Sequence, residues 1–186
     1  MASPVGHSLA GVSLYLLLTR KTDGPAIRAD WKTAALMATA ANLPDIDFLI
    51  GYAVYGDPNR IHGGWTHAGL FAVAAAWVLA RLHRFQPSVG TAGWAYFFAV
   101  ASHGIMDFFT GPTIGLYPSY GAAFLWPFYG EKLKSPVTFF QGPRHRTLDQ
   151  LLSVGNLWGM VYELLLWIPV VWGLIVFLRK DRRTEG

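Results

Sequence analysis

Four short motifs set imidazole and carboxylate groups into apolar sequence, and together they could serve a metal ion. His103 and Asp107 stand at i, i+4, which puts both side chains on one helix face a turn apart. Such a pair can coordinate one metal or span two; the plainer alternative is a capping Asp beside a hydrogen-bonded His. The second motif is Asn42-Leu43-Pro44-Asp45-Ile46-Asp47. Pro44 removes a backbone donor and kinks or breaks a helix. At that break Asp45 and Asp47, which would diverge on a regular helix, can point into one cavity. Capping alone accounts for Asp45, less well for two carboxylates amid apolar sequence. In the third motif, His62-Gly63-Gly64-Trp65-Thr66-His67, the glycine pair lets the chain bring both imidazoles to one centre. His62 also suits an ordinary polar loop, whereas His67 is followed at once by an apolar helix. His7 is the fourth, and alone it would be a solvated or satisfied histidine.

The elements that must position these groups are apolar segments. Of the 186 residues 53% are hydrophobic and 14% charged, about half the charged share of a soluble domain. Five segments stand out: Val5 to Leu18, Thr33 to Tyr55, Trp65 to Leu82, Val89 to Phe109 and Leu157 to Leu178. A spanning helix needs about 20 mostly apolar residues. The first segment is short by that measure, and Pro44, Asp45 and Asp47 interrupt the second. The pattern predicts an all-α fold: a polytopic helical membrane protein with about five transmembrane or partly inserted helices, residues 1–186 forming one integral membrane domain. The start of the chain lacks the basic n-region of a cleavable signal peptide. No nucleic-acid motif is present, so the net charge of +4 reads as topology signal.

Lys and Arg fix the orientation. Arg20, Lys21, Arg28 and Lys32 follow segment one, Arg81 and Arg84 follow segment three, and Arg179, Lys180, Arg182 and Arg183 follow segment five. Positive residues favour the cytoplasm, so five spans put the N-terminus outside. The loop over residues 111–156 then lies outside, despite Lys132, Lys134, Arg144 and Arg146. Its apolar run Phe124 to Tyr129 marks an interfacial or re-entrant segment. In this arrangement His7, Asp45, Asp47, His62, His67, His103 and Asp107 all reach a similar depth in the outer half of the membrane. Ionisable groups there cost about 2.5–3.5 kcal/mol each, and a divalent metal compensates such a group well.

The chain has no Cys, so thiolate ligation is excluded and the ligand set suits Zn²⁺ first, with Mn²⁺ or Fe²⁺ as alternatives. Seven candidate ligands are too many for one tetrahedral zinc, so two ions sharing a bridging carboxylate are expected. Such pairs acidify bound water and clamp both oxygens of a displacement, most commonly in phosphoester hydrolysis. Asp45 or Asp47 would bridge or act as base. Glu163 is a further base candidate, its alternative a buried carboxylate bonded to Thr66 or a Tyr. His83 falls on the cytoplasmic surface, and His145 is weakly placed. Two rival classes use the same residues: a metal-ion transporter and a non-catalytic metal-binding membrane protein. Against transport, the ligands gather at one depth.

These motifs make the chain resemble the YdjM-like family of bacterial inner-membrane proteins classed as metal-dependent hydrolases. The early His is matched by His7. The L-P-D-x-D motif is matched from Leu43 to Asp47, and H-R-G-x-T-H-S at His62, Gly64, Thr66 and His67. H-x-x-x-D followed by Thr is matched at His103, Asp107 and Thr110, and a W-P-F-like element at Trp126, Pro127 and Phe128. Gly63 stands where the family carries Arg, and Ala68 where it carries Ser. The resemblance covers roughly residues 5 to 130. It implies an inner-membrane location and metal-dependent hydrolysis. The early His and the H-x-x-x-D element are also similar to those of zinc-dependent phospholipase C enzymes, by analogy only. That likeness implies a membrane-lipid substrate cleaved at a phosphoester or related bond. Arg144 and Arg146 are candidate headgroup contacts, their alternative being ordinary loop charges, and Trp126 is a further substrate-binding candidate.

Overall fold

In the computed structural model residues 1–19, 31–82, 92–145 and 148–184 are described. Helix α1 (Pro4–Thr19) begins on a proline, which suits a first turn that has no use for its N–H. Helix α2 (Trp31–Asn42) stops where Pro44 forbids continuation, and a 3-10 turn over Leu43–Asp45 redirects the chain into α3 (Ile46–Tyr55). Helix α3 ends at Gly56, whose left-handed backbone (φ 66°) returns its N–H to Tyr52. A loop and a second 3-10 turn (Trp65–His67) lead into α4 (Gly69–Leu82), and α5 (Ala92–Phe108) follows.

The segment after α5 carries little helix. Two short parallel strands, β1 (Thr110–Gly111) and β2 (Phe140–Gln141), pair Thr110 with Phe140 and Gly111 with Gln141. Antiparallel bridges join Gly115 to Thr138 and Ala122 to Leu133, so the segment folds back on itself. Its apolar tips stay exposed, Phe128 at 92% and Leu116 at 86%. A short α6 (Leu148–Leu151) precedes the long α7 (Val154–Thr184).

Helix α1 packs against α2, α5 and α7, α2 also against α5, and α4 against α5. The core is built of small residues: Ala40, Ala72, Ala75, Ala76, Ala95 and Ala99, with Tyr15, Met37, Tyr96 and Val100 between them. Small residues let helix backbones approach closely, which is how helices associate where the solvent is itself apolar. Large apolar side chains face outward instead: Leu49 on α3, Trp77 on α4, Trp94 and Phe98 on α5, and Leu157, Trp158, Leu165 and Trp172 on α7.

The expectation of five spans is corrected by these lengths. Among the described residues one helical stretch, Asp149–Phe177, is long and apolar enough to cross a membrane, with mean hydropathy 2.1 and 6% of its apolar window buried. At 16, 14 and 17 residues, α1, α4 and α5 rise about 24, 21 and 26 Å, against a hydrocarbon thickness of about 30 Å. Segment two is divided into helices of 12 and 10 residues. The physical reason is that two of the polar motifs consume chain: the Leu-Pro-Asp turn and the turn ending at His67 both interrupt helix. Arg20, Lys21, Arg28, His83, Arg84 and Arg146 lie outside the described residues.

Candidate metal centre

The breaks in the helices build the site. Helix α1 brings His7 in its first turn. The 3-10 turn after α2 presents Asp45, and the first turn of α3 presents Asp47. The loop before α4 supplies His62, and its closing turn His67. The last turns of α5 add His103 and Asp107. All seven residues expected from the sequence come together in three overlapping groups: His7–His103–Asp107, Asp45–His67–His103 and Asp47–His62–His67, each able to hold a metal ion. His7, Asp47 and His103 are fully buried, and His67 and Asp107 nearly so.

Hydrogen bonds fix which nitrogen of each imidazole faces the centre. His103 Nδ1 donates to the Ala41 carbonyl at 2.8 Å, so its Nε2 is the lone pair of the neutral ring. The Thr66 hydroxyl donates to Asp47 Oδ2 at 2.6 Å, so Thr66 Oγ1 can only accept from His67 Nδ1, 3.0 Å away. His67 Nε2 is therefore a lone pair too. These two nitrogens lie 3.2 Å apart, a separation that demands a proton or cation between them. Around them, His103 Nε2 is 3.2 Å from Asp45 Oδ1 and 3.6 Å from Asp107 Oδ2. His67 Nε2 is 3.1 Å from Asp107 Oδ2 and 3.9 Å from Asp45 Oδ1. A tetrahedral zinc with bonds of about 2.0–2.1 Å separates its ligands by about 3.3 Å, in the middle of these five distances.

The outer members divide into satisfied and unsatisfied groups. Asp47 accepts from Thr66 and from the Gly63 N–H at 3.1 Å, and pairs with His62 Nδ1 at 2.9 Å. It thus holds His62 and, through Thr66, His67 in place, as partners of metal-binding histidines do. His7 stacks on His103, ring centroids 3.7 Å apart, with Nε2 3.5 Å from Asp107 Oδ1. Neither nitrogen of His7 has a hydrogen-bond partner, nor does Asp45 Oδ1. Buried polar atoms left this way are costly, and a cation is what an imidazole and carboxylate donor set fits.

The remaining predicted residues are placed differently. Glu163 is buried in α7 and bonds neither Thr66 nor a Tyr: its carboxylate accepts from the Ser3 N–H at 2.9 Å, from the Ser3 hydroxyl and from the Gly6 N–H at 3.1 Å. That contact caps the start of α1, one residue from His7. Arg144 lines a cavity of about 620 Å³ that opens onto His62 and Asp107, and Trp126 does not. Sequence reasoning passed over Lys132, whose ammonium enters the same cavity and donates to the His62 carbonyl at 3.0 Å. Burial draws Lys132 below the usual lysine range, with Asp107 and Asp47 opposing. His145 is half-buried there, its ring 6.1 Å from that of His62, and burial lowers its pKa. Neither residue carries a motif; both reach the site only by tertiary folding.

The model of the YdjM inner membrane protein family matches residues 1–182. The chain belongs to that family. No curated protein and no solved structure matches it.

Proposed function

We propose that this inner-membrane chain is a metal-dependent hydrolase of a membrane lipid, acting at a phosphoester or related bond. The observation that carries the reading is the pair of inward-facing donors His67 Nε2 and His103 Nε2, 3.2 Å apart, with Asp45 Oδ1 and Asp107 Oδ2 each 3.1–3.9 Å from both. They would hold a divalent ion, zinc first. Overlap with His7 on one side and with Asp47 and His62 on the other favours a second. A bound ion of this class polarises a phosphoryl oxygen and acidifies water. The chain's own residues do the rest. Ala41, Thr66 and Asp47 orient the imidazoles. Asp45 is the better base of the two Asp-x-Asp carboxylates: its side chain keeps 15% exposure while Asp47 has none, and both Asp47 oxygens are committed.

Location supports a lipid substrate. Apolar side chains of α3, α4, α5 and α7 point outward, as in a multi-pass or partly inserted protein, and the Lys/Arg clusters favour a site in the outer half. A phospholipid reaches such a site by lateral diffusion with its phosphate near the membrane surface. Against a transporter, the core beside the site is mostly apolar, built of Tyr15, Met37, Tyr96, Val100 and alanines, and holds no further imidazole or carboxylate among its described residues. Turnover of mixed phospholipids in detergent, with and without chelator, tests the reading. A chelator-sensitive product that disappears in Asp45→Asn and Asp107→Asn is expected. A fully metallated protein that cleaves no lipid, yet moves metal ions across liposomes, replaces the enzyme with a transporter.

A further inference from the structure

We propose that the 620 Å³ cavity beside the metal cluster is a phosphate subsite gripped by Lys132 and Arg144, and that Gly63 is there to admit Lys132. The inference rests on the hydrolase reading for the site's purpose, but its observations are independent. The cavity is lined by Lys132, Arg144, His145, Gln141 and Asn59, with His62 and Asp107 connecting it to the cluster. Two cations at the mouth of a carboxylate-rich centre are what an anionic substrate would need to approach it.

Each cation is held by the fold. The Arg144 backbone is clamped by Asn156 of α7, a buried side chain: its Oδ1 accepts from the Arg144 N–H at 2.8 Å and its Nδ2 donates to the Arg144 carbonyl at 2.7 Å. Asn156 also donates to the Gln150 and Leu151 carbonyls, which ties the clamp to α6. Lys132 is exposed, and its ammonium spends one bond on the His62 carbonyl. An ammonium has three donors, so two remain for a ligand. Glycine at position 63 leaves room for this. A Cβ there would stand 2.6 Å from Lys132 Nζ and make the flexible ammonium shift, and a φ of +72° is one that other L-residues rarely adopt.

The ligand class follows from the donors. A guanidinium presents a planar fork and an ammonium a point charge, a combination suited to the non-bridging oxygens of a phosphate. Asp107, on the same cavity, would repel an anion, but one of its oxygens accepts from the Ala2 N–H at 2.9 Å and the other faces His67. With a divalent ion in the cluster that repulsion is neutralised. His145 also lines the cavity. A lipid headgroup and free phosphate share this chemistry.

The test is binding to detergent-purified, metal-loaded protein, titrated with inorganic phosphate and with glycerol 1-phosphate, metal content being measured on every sample. Both should bind the wild type; tighter binding of glycerol phosphate assigns the subsite to a lipid headgroup, and equal binding assigns it to free phosphate. Lys132→Ala and Arg144→Ala should each weaken binding about tenfold or more with metal content unchanged, and Lys132→Arg should retain part of it. Gly63→Ala, which makes the Lys132 ammonium shift, should weaken binding less than Lys132→Ala does. The proposal is overturned if neither ligand binds the wild type, or if both alanine variants bind as the wild type does. Phosphate binding that depends on Lys132 in a protein with no lipid turnover would sink the hydrolase and leave the subsite standing. Turnover with unchanged KM in both alanine variants would do the reverse.

Discussion

Replacing Glu163 separates a strut from a base. Its carboxylate accepts three donors, the Ser3 N–H, the Ser3 hydroxyl and the Gly6 N–H, all buried. Glu163→Ala strands the Ser3 N–H and the Ser3 hydroxyl, while the Gly6 N–H keeps the Ser3 hydroxyl oxygen, 3.3 Å away. A buried donor without a partner costs about 1–3 kcal/mol, so the loss for the two is about 2 kcal/mol at the lower limit. For a chain of this size each kcal/mol moves the midpoint by about 2–4 °C, which predicts a fall of about 4 °C or more. The start of α1 would loosen, and with it His7, one residue beyond Gly6. Metal retention should weaken in parallel, while Asp45, His67 and His103, which Glu163 does not contact, should still bind. Thermal unfolding in detergent with metal analysis on the same samples measures both. If Glu163→Ala melts like the wild type and keeps its metal but loses all lipid turnover, Glu163 is a base after all and the structural argument is wrong.

Three other outcomes are expected. Thr66→Val removes the hydroxyl that fixes the His67 tautomer, and metal affinity should fall about 10–100-fold, as for other partners of metal-binding histidines; equilibrium competition with a chromophoric chelator reads this, and unchanged affinity would remove Thr66 from the site. Gly6→Ala drives a Cβ into the Glu163 carboxyl and to 3.1 Å from Met106 Cε, so it should destabilise the protein at least as much as ordinary overpacking, about 1–3 kcal/mol, in the same melting assay. In a chain without Cys, a single Cys at the exposed Lys134 should react with an impermeant reagent in intact cells and one at Thr184 should not; the opposite pattern inverts the topology.

What the sequence made legible was local. Pro44 announced the break that turns Asp45 and Asp47 inward, and the glycine pair before Trp65 announced the turn that brings in His62 and His67. Those signals need no knowledge of distant contacts, and the seven candidate ligands gather where they pointed. Span counting failed for the same reason in reverse. A run of apolar residues was read as one helix, although the turns that aim the ligands shorten α4 and divide α2 from α3. Contacts between remote segments left no trace in the sequence. Glu163 meets Ser3 across 160 residues, and Lys132 meets His62 across 70. Ser135, in the long loop before α6, is buried, with its N–H and carbonyl both paired to Ser119.

The most direct test of the account is the metal content of protein purified without added metal, for the wild type and for a His67→Ala/His103→Ala double variant. These two histidines link the three candidate groups, so their loss leaves none of the groups complete. The account predicts at least one divalent transition-metal ion per wild-type chain, zinc before manganese or iron, and none in a folded double variant. A wild type that is metal-free and takes up no zinc, or a double variant that keeps the full wild-type content, would contradict it.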